Sequence, residues 1–148
     1  MVAECKKDAS VRDICVLGDK RLLEETGKAF KKDKKITKGI AFPTCLSVNN
    51  TICHFSPLMS EQDQSLAEGD MVKIDMGAHI DGYIAVVAHT VVVGDGIVEG
   101  RKADAMLAAH LCSEAALRLV KPGNETYEIT ETVTKIAEAF DCKVSYRY

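Results

Sequence analysis

The segment MVKIDMGAHIDGYIAVVAHTVVV, residues 71–93, decides the fold. Two runs that favour β-structure, 71–80 and 83–93, flank the dipeptide Asp81-Gly82. Asp-Gly between two such runs favours the two-residue type I′ turn of a β-hairpin. A loop of two residues also fixes the register, with position 80 opposite 83 and position 75 opposite 88. The sequence therefore predicts a hairpin whose side chains alternate between two faces.

Asp75 is the residue of this hairpin that could ligate a metal ion. Position 86 is its diagonal neighbour on the same face, about 7–8 Å away. Carboxylates at both positions could bridge two divalent ions about 3.5–4 Å apart. Position 86 is Val86, which has no ligand atom. His79 is on the correct face but about 13 Å along the strand, and His89 points to the opposite face. Asp75 alone is typical of a solvated or hydrogen-bonded strand carboxylate.

A helix should precede the hairpin. Residues 11 to 32 have the periodicity of an amphipathic helix, with Ser10 as the N-cap. Its apolar side is formed by Val11, Ile14, Cys15, Gly18, Leu22, Ala29 and Phe30. A glycine inside a helix lowers stability unless another element packs closely against it, so we expect close packing at Gly18.

The other elements surround the hairpin. Residues 40 to 55 are extended, with interruptions at Pro43 and at an Asn49-Asn50 turn. Helical periodicity runs from 102 to 120 and returns after Thr126, the expected N-cap of a last helix. The buried stripe of that last helix should consist of Ile129, Val133, Ile136 and Phe140. This order predicts an α+β fold, an antiparallel sheet with covering helices. Because three helices cannot cover such a sheet fully, an apolar face should stay exposed.

Composition narrows the class of protein. The chain has 148 residues, typical of one domain, with 47% hydrophobic and 28% charged residues and a net charge of −3. No apolar run approaches the roughly 20 residues of a membrane span, and the charged segment 1–12 does not have the pattern of a secretory signal. Six cysteines without a C-x-x-C pair indicate free thiols in a reducing compartment rather than a disulfide framework or a zinc knuckle.

A lysine cluster follows the first predicted helix. Six lysines fall within eleven residues: Lys28, Lys31, Lys32, Lys34, Lys35 and Lys38. Such a positive patch on a mildly acidic chain favours contact with nucleic-acid phosphates. The alternative is a solvated helix end whose lysines complement the helix dipole, and the sequence does not separate the two. No aromatic ring is expected to stack on bases, because Phe30 is placed on the buried side.

The hairpin and several other segments resemble a known superfamily. Residues 74–80 resemble the first metal-binding hairpin of the methionine aminopeptidases and their "pita-bread" relatives, whose second aspartate falls at position 86 of this chain. The closer resemblance is to the proliferation-associated proteins, also called ErbB-receptor-binding proteins, which are non-peptidase members. The segments that carry this second resemblance are 39–45, 47–50, 53–57, 68–75, 81–85, 100–104 and 117–123.

The resemblance implies a fold and a pocket. Residues 1–148 would form the first repeat of a two-repeat pita-bread domain, without the family's first helix, second repeat and lysine-rich tail. The remaining metal ligands of the enzymes, one histidine and two glutamates, belong to the second repeat. His54 matches the histidine with which active relatives contact substrate. It is expected either to make structural hydrogen bonds or to line a vestigial pocket with Asp75 and Val86.

The resemblance also implies a function without catalytic residues, bound metal or cofactor. We expect an RNA- or ribosome-associated regulator of growth in the cytoplasm and nucleus, with protein partners allowed and no membrane contact. Two alternatives stay open: a metallo-aminopeptidase with unconventional ligands, and an incomplete isoform that acts only through protein–protein contacts. The divergent segment 145–148 is typical of a truncated isoform or a fragment.

Overall fold

The computed structural model describes residues 1–145, so the last three residues of the divergent segment lie outside it. After a 3-10 turn the elements are α1 (Val11–Lys28), β1 (Lys38–Val48), β2 (Met71–Ile80), β3 (Tyr83–Val92), α2 (Gly100–Leu119) and α3 (Thr126–Ala139). The strands form one antiparallel sheet in the order β1-β2-β3. The chain divides into two compact units: Met1–Asp95 contains α1 and the sheet, and the second, from Gly96 onward, contains α2 and α3. The predicted α+β class is confirmed.

The hairpin has the predicted register. Ile80 pairs with Tyr83, and Asp75 pairs with Ala88. Asp81 and Gly82 have φ values of 53° and 84°, the positive values that a type I′ turn requires at both central residues. The amide of Asp81 also donates to the carbonyl of Thr37 at 2.6 Å, which ties the turn to the segment before β1.

The core of the first unit lies between α1 and the sheet. The hydroxyl of Ser10 accepts a hydrogen bond from the amide of Asp13 at 2.9 Å, so Ser10 is the N-cap as predicted. The buried cluster includes Val11, Ile14 and Cys15 of α1, Leu46 and Val48 of β1, and Val72 and Ile74 of β2. The close packing expected at Gly18 is confirmed, because a Cβ added there would lie 2.5 Å from Thr44 Oγ1.

The observed end of α1 differs from the predicted one. The helix ends at Lys28 instead of residue 32, since Ala29 is extended (φ −76°, ψ 143°) and Phe30 has a φ of 44°. Gly27 lowers the helix propensity here, and the ammonium group of Lys38 donates to the carbonyl of Ala29. Phe30, predicted on the buried side, is therefore 61% exposed.

Two further predictions are modified in the structure. Pro43 does not interrupt β1 but lies within it, where the register with β2 shifts between Phe42 and Cys45, a position at which proline is tolerated. The N-cap of α3 is Glu125 rather than Thr126, and it makes no side-chain capping bond. The four residues of the predicted α3 stripe are only partly buried, and the buried residue of this helix, Ala137, lies outside that stripe.

The predicted exposed apolar surface lies on β3. The first seven residues of this strand, 83–89, are exposed, so both faces of the strand are open over that length. Its large side chains are 61–83% exposed: Tyr83, Ile84, Val86 and Val87. Within the described sheet β3 pairs with β2 alone, and its other edge has no strand partner.

Candidate functional site

The residues predicted to line a pocket meet in one open cleft of the first unit. Its volume is about 570 Å³, and it is lined by Phe42, Pro43, Cys45, His54, Ser56, Asp75 and Val86. Three chain segments build it. β2 contributes Asp75, β3 contributes Val86, and the loop that follows β1 contributes His54. Phe42, Pro43 and Ser56 were not predicted from the sequence to line the cleft, although Pro43 indicated irregular backbone at that point.

His54 and Asp75 face each other across this cleft. The distance from His54 Nδ1 to Asp75 Oδ2 is 3.8 Å, too long for a hydrogen bond but close enough for an ion pair when the imidazole is protonated. The side chain of His54 is 61% exposed and that of Asp75 is 27% exposed, so solvent screens the pair. His54 has a φ of 61°, a left-handed conformation uncommon for residues other than glycine.

The hairpin residues do not fit a dinuclear metal site. Val86 pairs with Gly77, two positions from the Asp75–Ala88 pair, which makes it the diagonal neighbour on the face of Asp75. A Cβ on Gly77 would lie 2.3 Å from Phe42 Cε1, so the phenylalanine ring covers the strand beside Asp75. Within residues 1–145 no three or more His, Cys, Asp and Glu side chains group closely enough to hold a metal ion. Two divalent ions need bridging carboxylates, and this face offers one.

Cys45, which lines the cleft, and Cys15 of α1 are poor nucleophiles. Cys45 pairs with Asp75 across the strands, and its thiol donates to the carbonyl of Pro43 at 3.1 Å. Burial, and next the charge of Asp75, raises the pKa of Cys45. Burial also raises the pKa of Cys15 to about 12. Because the thiolate is the reactive form, neither residue favours covalent catalysis.

The predicted lysine cluster divides into two groups. Lys28 forms an ion pair with Glu25 one turn earlier in α1, and Lys38 donates to the carbonyl of Ala29. These two lysines therefore have partners within the fold. The other four lie exposed in the loop between α1 and β1: Lys31, Lys32, Lys34 and Lys35. This group is the part of the cluster that is open to a ligand.

Comparison with known proteins places this geometry in a family. The family model described as "Metallopeptidase family M24" matches residues 1–147. The chain is 52% identical over 145 residues to ErbB-3-binding protein 1 of Solanum tuberosum, covering 97% of this chain and 37% of that protein. It is 46% identical over 145 residues to the curved DNA-binding protein of Schizosaccharomyces pombe, covering 97% and 38%. The chain thus spans just over a third of the length of these curated relatives.

Solved structures agree with the fold. A thermophilic Arx1 superposes with a TM-score of 0.79 at 30% identity, covering 96% of this chain and 45% of that chain. The methionine aminopeptidase of Rickettsia prowazekii gives a TM-score of 0.78 at 21% identity, covering 99% and 56%, which is a likeness of fold alone. The predicted aminopeptidase-like fold is confirmed, as is the resemblance to the proliferation-associated proteins. Among residues 1–145, no helix combines the length and the hydrophobicity that spanning a bilayer requires.

Proposed function

This chain belongs to metallopeptidase family M24, and we propose that it is a non-catalytic member that binds RNA or the ribosome and regulates growth in the cytoplasm and nucleus. The observation that carries the non-catalytic part is Val86 on the face of Asp75. A valine there removes the second carboxylate with which a pair of metal ions would be bridged. The ring of Phe42 over Gly77 supports the same conclusion, because it makes the neighbouring surface apolar.

Support for nucleic-acid binding comes from the loop between α1 and β1. Four exposed lysines follow one another closely in this loop, and phosphate attraction needs a local concentration of positive charge rather than a basic chain. A relative at 46% identity is named for curved DNA, and another at 52% is named for binding ErbB-3. The first name supports a nucleic-acid ligand and the second supports a protein ligand.

Metal content tests the non-catalytic proposal. The purified chain would be incubated with cobalt, manganese or zinc and dialysed, and the bound metal would be counted beside an Asp75→Asn variant. We expect no stoichiometric metal in either protein, because a single carboxylate and an exposed imidazole make a weak site. One or two ions per chain, lost in Asp75→Asn and accompanied by aminopeptidase activity, would refute the proposal and favour the metallo-aminopeptidase alternative.

Charge reversal tests nucleic-acid binding. Lys31→Glu/Lys32→Glu should weaken RNA binding and reduce the slope of affinity against salt by about two, since each phosphate contact contributes roughly one unit. Lys6→Glu/Lys7→Glu is the matched control, because both of these lysines are exposed and lie outside the loop. Fluorescence anisotropy over a range of salt concentrations measures both quantities. Equal behaviour of the two double variants would contradict a specific role for the loop.

A second candidate function is contact with another protein through β3. Tyr83, Ile84, Val86 and Val87 form an apolar surface along an unpaired edge, and large exposed apolar patches mark interaction sites. On this alternative the chain acts as an incomplete isoform whose partner covers β3. A charged substitution on β3 that abolished the effect of the chain on cell growth, but left its RNA affinity unchanged, would favour this alternative over the leading proposal.

A further inference from the structure

The loop between α1 and β1 carries an aromatic ring next to its exposed lysines. We infer that Phe30 is a platform on which an unpaired base stacks, so that this loop prefers single-stranded over duplex nucleic acid. The inference rests on the proposed function, because it assumes that the loop binds nucleic acid. It adds to that function a preference for single-stranded nucleic acid and a specific binding residue, neither of which follows from the charge of the loop alone.

The backbone holds the ring of Phe30 away from the core. The residue has a φ of 44°, and phenylalanine rarely adopts this left-handed conformation. Two hydrogen bonds fix the conformation on either side. The amide of Asp33 donates to the carbonyl of Phe30 at 3.1 Å, and the ammonium group of Lys38 donates to the carbonyl of Ala29. The 61% exposure of Phe30 therefore follows from a closed turn rather than from a frayed helix end.

The charges of the loop suit a nucleic-acid strand. Lys31 and Lys32 directly follow the ring and are exposed. Asp33, the single acidic residue among positions 28–38, accepts a hydrogen bond from the amide of Lys35 at 3.0 Å. Its carboxylate is therefore engaged with the backbone of its own loop. The loop presents an aromatic face followed by ammonium groups, the combination with which proteins bind single strands.

The ring should add affinity for single strands without adding affinity for duplexes. Bases inside a duplex are already stacked on their neighbours, so a protein ring can reach a base face only in single strands, loops or ends. Lysines alone would bind the phosphates of either form. The ring is thus the feature of this loop that can discriminate between the two forms.

Substitution of Phe30 in the full chain tests the inference. The probes are a short fluorescent oligouridylate, the same strand with abasic sites, and an RNA duplex of equal length. Phe30→Ala should weaken binding of the oligouridylate about five- to tenfold, at the low end of the range for base stacking. Its salt slope should stay the same, because no phosphate contact is removed. Duplex affinity should not change, and the abasic strand should bind the variant and the original chain equally.

Two controls separate stacking from other roles of the ring. Tyr127→Ala removes another exposed aromatic ring, 56% exposed in α3, and should leave all three affinities unchanged. Phe30→Tyr should retain the affinity for oligouridylate. Phe30→Leu, which keeps the apolar character without the aromatic face, should weaken it as much as Phe30→Ala does. Circular dichroism spectra that match the original chain would establish that each variant is folded.

Each contrary result has a distinct meaning. If Phe30→Leu binds as tightly as the original chain, or if Phe30→Ala weakens duplex and single strand equally, the stacking role is overturned. If Lys31→Glu/Lys32→Glu abolishes binding while Phe30→Ala has no effect, the proposed function stands and this inference falls. If neither variant changes RNA affinity, RNA binds elsewhere on the chain and the inference falls together with the role of the loop. If the original chain binds none of the three probes, the proposed nucleic-acid function itself fails.

Discussion

Replacement of Gly18 by alanine should destabilise the unit Met1–Asp95, although alanine is the better helix former. In the middle of α1 the substitution gains about 1 kcal/mol of helix propensity. The added Cβ would lie 2.5 Å from Thr44 Oγ1 and 2.6 Å from Thr44 Cγ2. Thr44 is 0% exposed and cannot turn away into solvent. Overpacking a site of this kind costs about 1–3 kcal/mol. With three atoms inside 3 Å we place the cost at the upper end, so the net loss should be about 1–2 kcal/mol.

Gly27, in the same helix, supplies the matched control. A Cβ there would meet nothing within 4 Å, so Gly27→Ala should stabilise by about 0.5 kcal/mol. Urea denaturation followed by circular dichroism measures the free energy of unfolding of both variants, which should differ by about 2 kcal/mol. Thr44→Ala, which removes Oγ1 and Cγ2, should recover part of the loss in Gly18→Ala. If Gly18→Ala proved as stable as Gly27→Ala, the close approach of α1 to β1 would be refuted.

Three further predictions follow from other parts of the first unit. Val87→Lys should reduce concentration-dependent association in analytical ultracentrifugation, because a charge on an exposed edge strand opposes edge-to-edge pairing; unchanged association would argue against the β3 edge. Cys15, whose pKa burial raises to about 12, should be alkylated much more slowly than the partly exposed Cys53 at mildly alkaline pH, as mass spectrometry of peptides would measure; equal rates would contradict the burial. Ser10→Ala should cost about 1 kcal/mol through loss of the N-cap. Because the Ser10 hydroxyl bond lowers the pKa of Asp63, the stability from that carboxylate is present above the ordinary aspartate pKa and lost as pH falls through the folded value. The deficit of Ser10→Ala should therefore shrink in acid, and a deficit that grew there would refute this coupling.

The hairpin could be predicted from sequence because everything that determines it is local. Asp81-Gly82 selects the turn, the turn sets the register, and the register puts Val86 beside Asp75. The end of α1 could not be predicted in this way. Its apolar periodicity continues to Phe30, but the interaction at the end comes from Lys38 of another element. Periodicity contains no information about a hydrogen bond between elements.

The candidate site also combines features that local sequence determines with features that depend on contacts between elements. Alternation along β2 and β3 correctly put Asp75 and Val86 on one face, whereas the approach of His54 depends on the path of a loop. Phe42 and Cys45 enter the cleft through the irregular stretch of β1 around Pro43, where strict alternation fails. Counting lysines gave the location of the positive patch but not the local partners of Lys28 and Lys38, which only the folded chain reveals.

The order of the strands has a consequence for synthesis on the ribosome. In the β1-β2-β3 sheet, β2 pairs with β1 and β3 pairs with β2, so each new strand joins the one that was translated just before it. Such pairing closes short stretches of chain and can proceed as residues emerge, without waiting for distant partners. When β3 has been added, the growing sheet ends in a nearly uncharged strand that is open on both faces. While this strand is uncovered, it exposes apolar side chains beside unpaired backbone groups, the combination through which nascent chains aggregate.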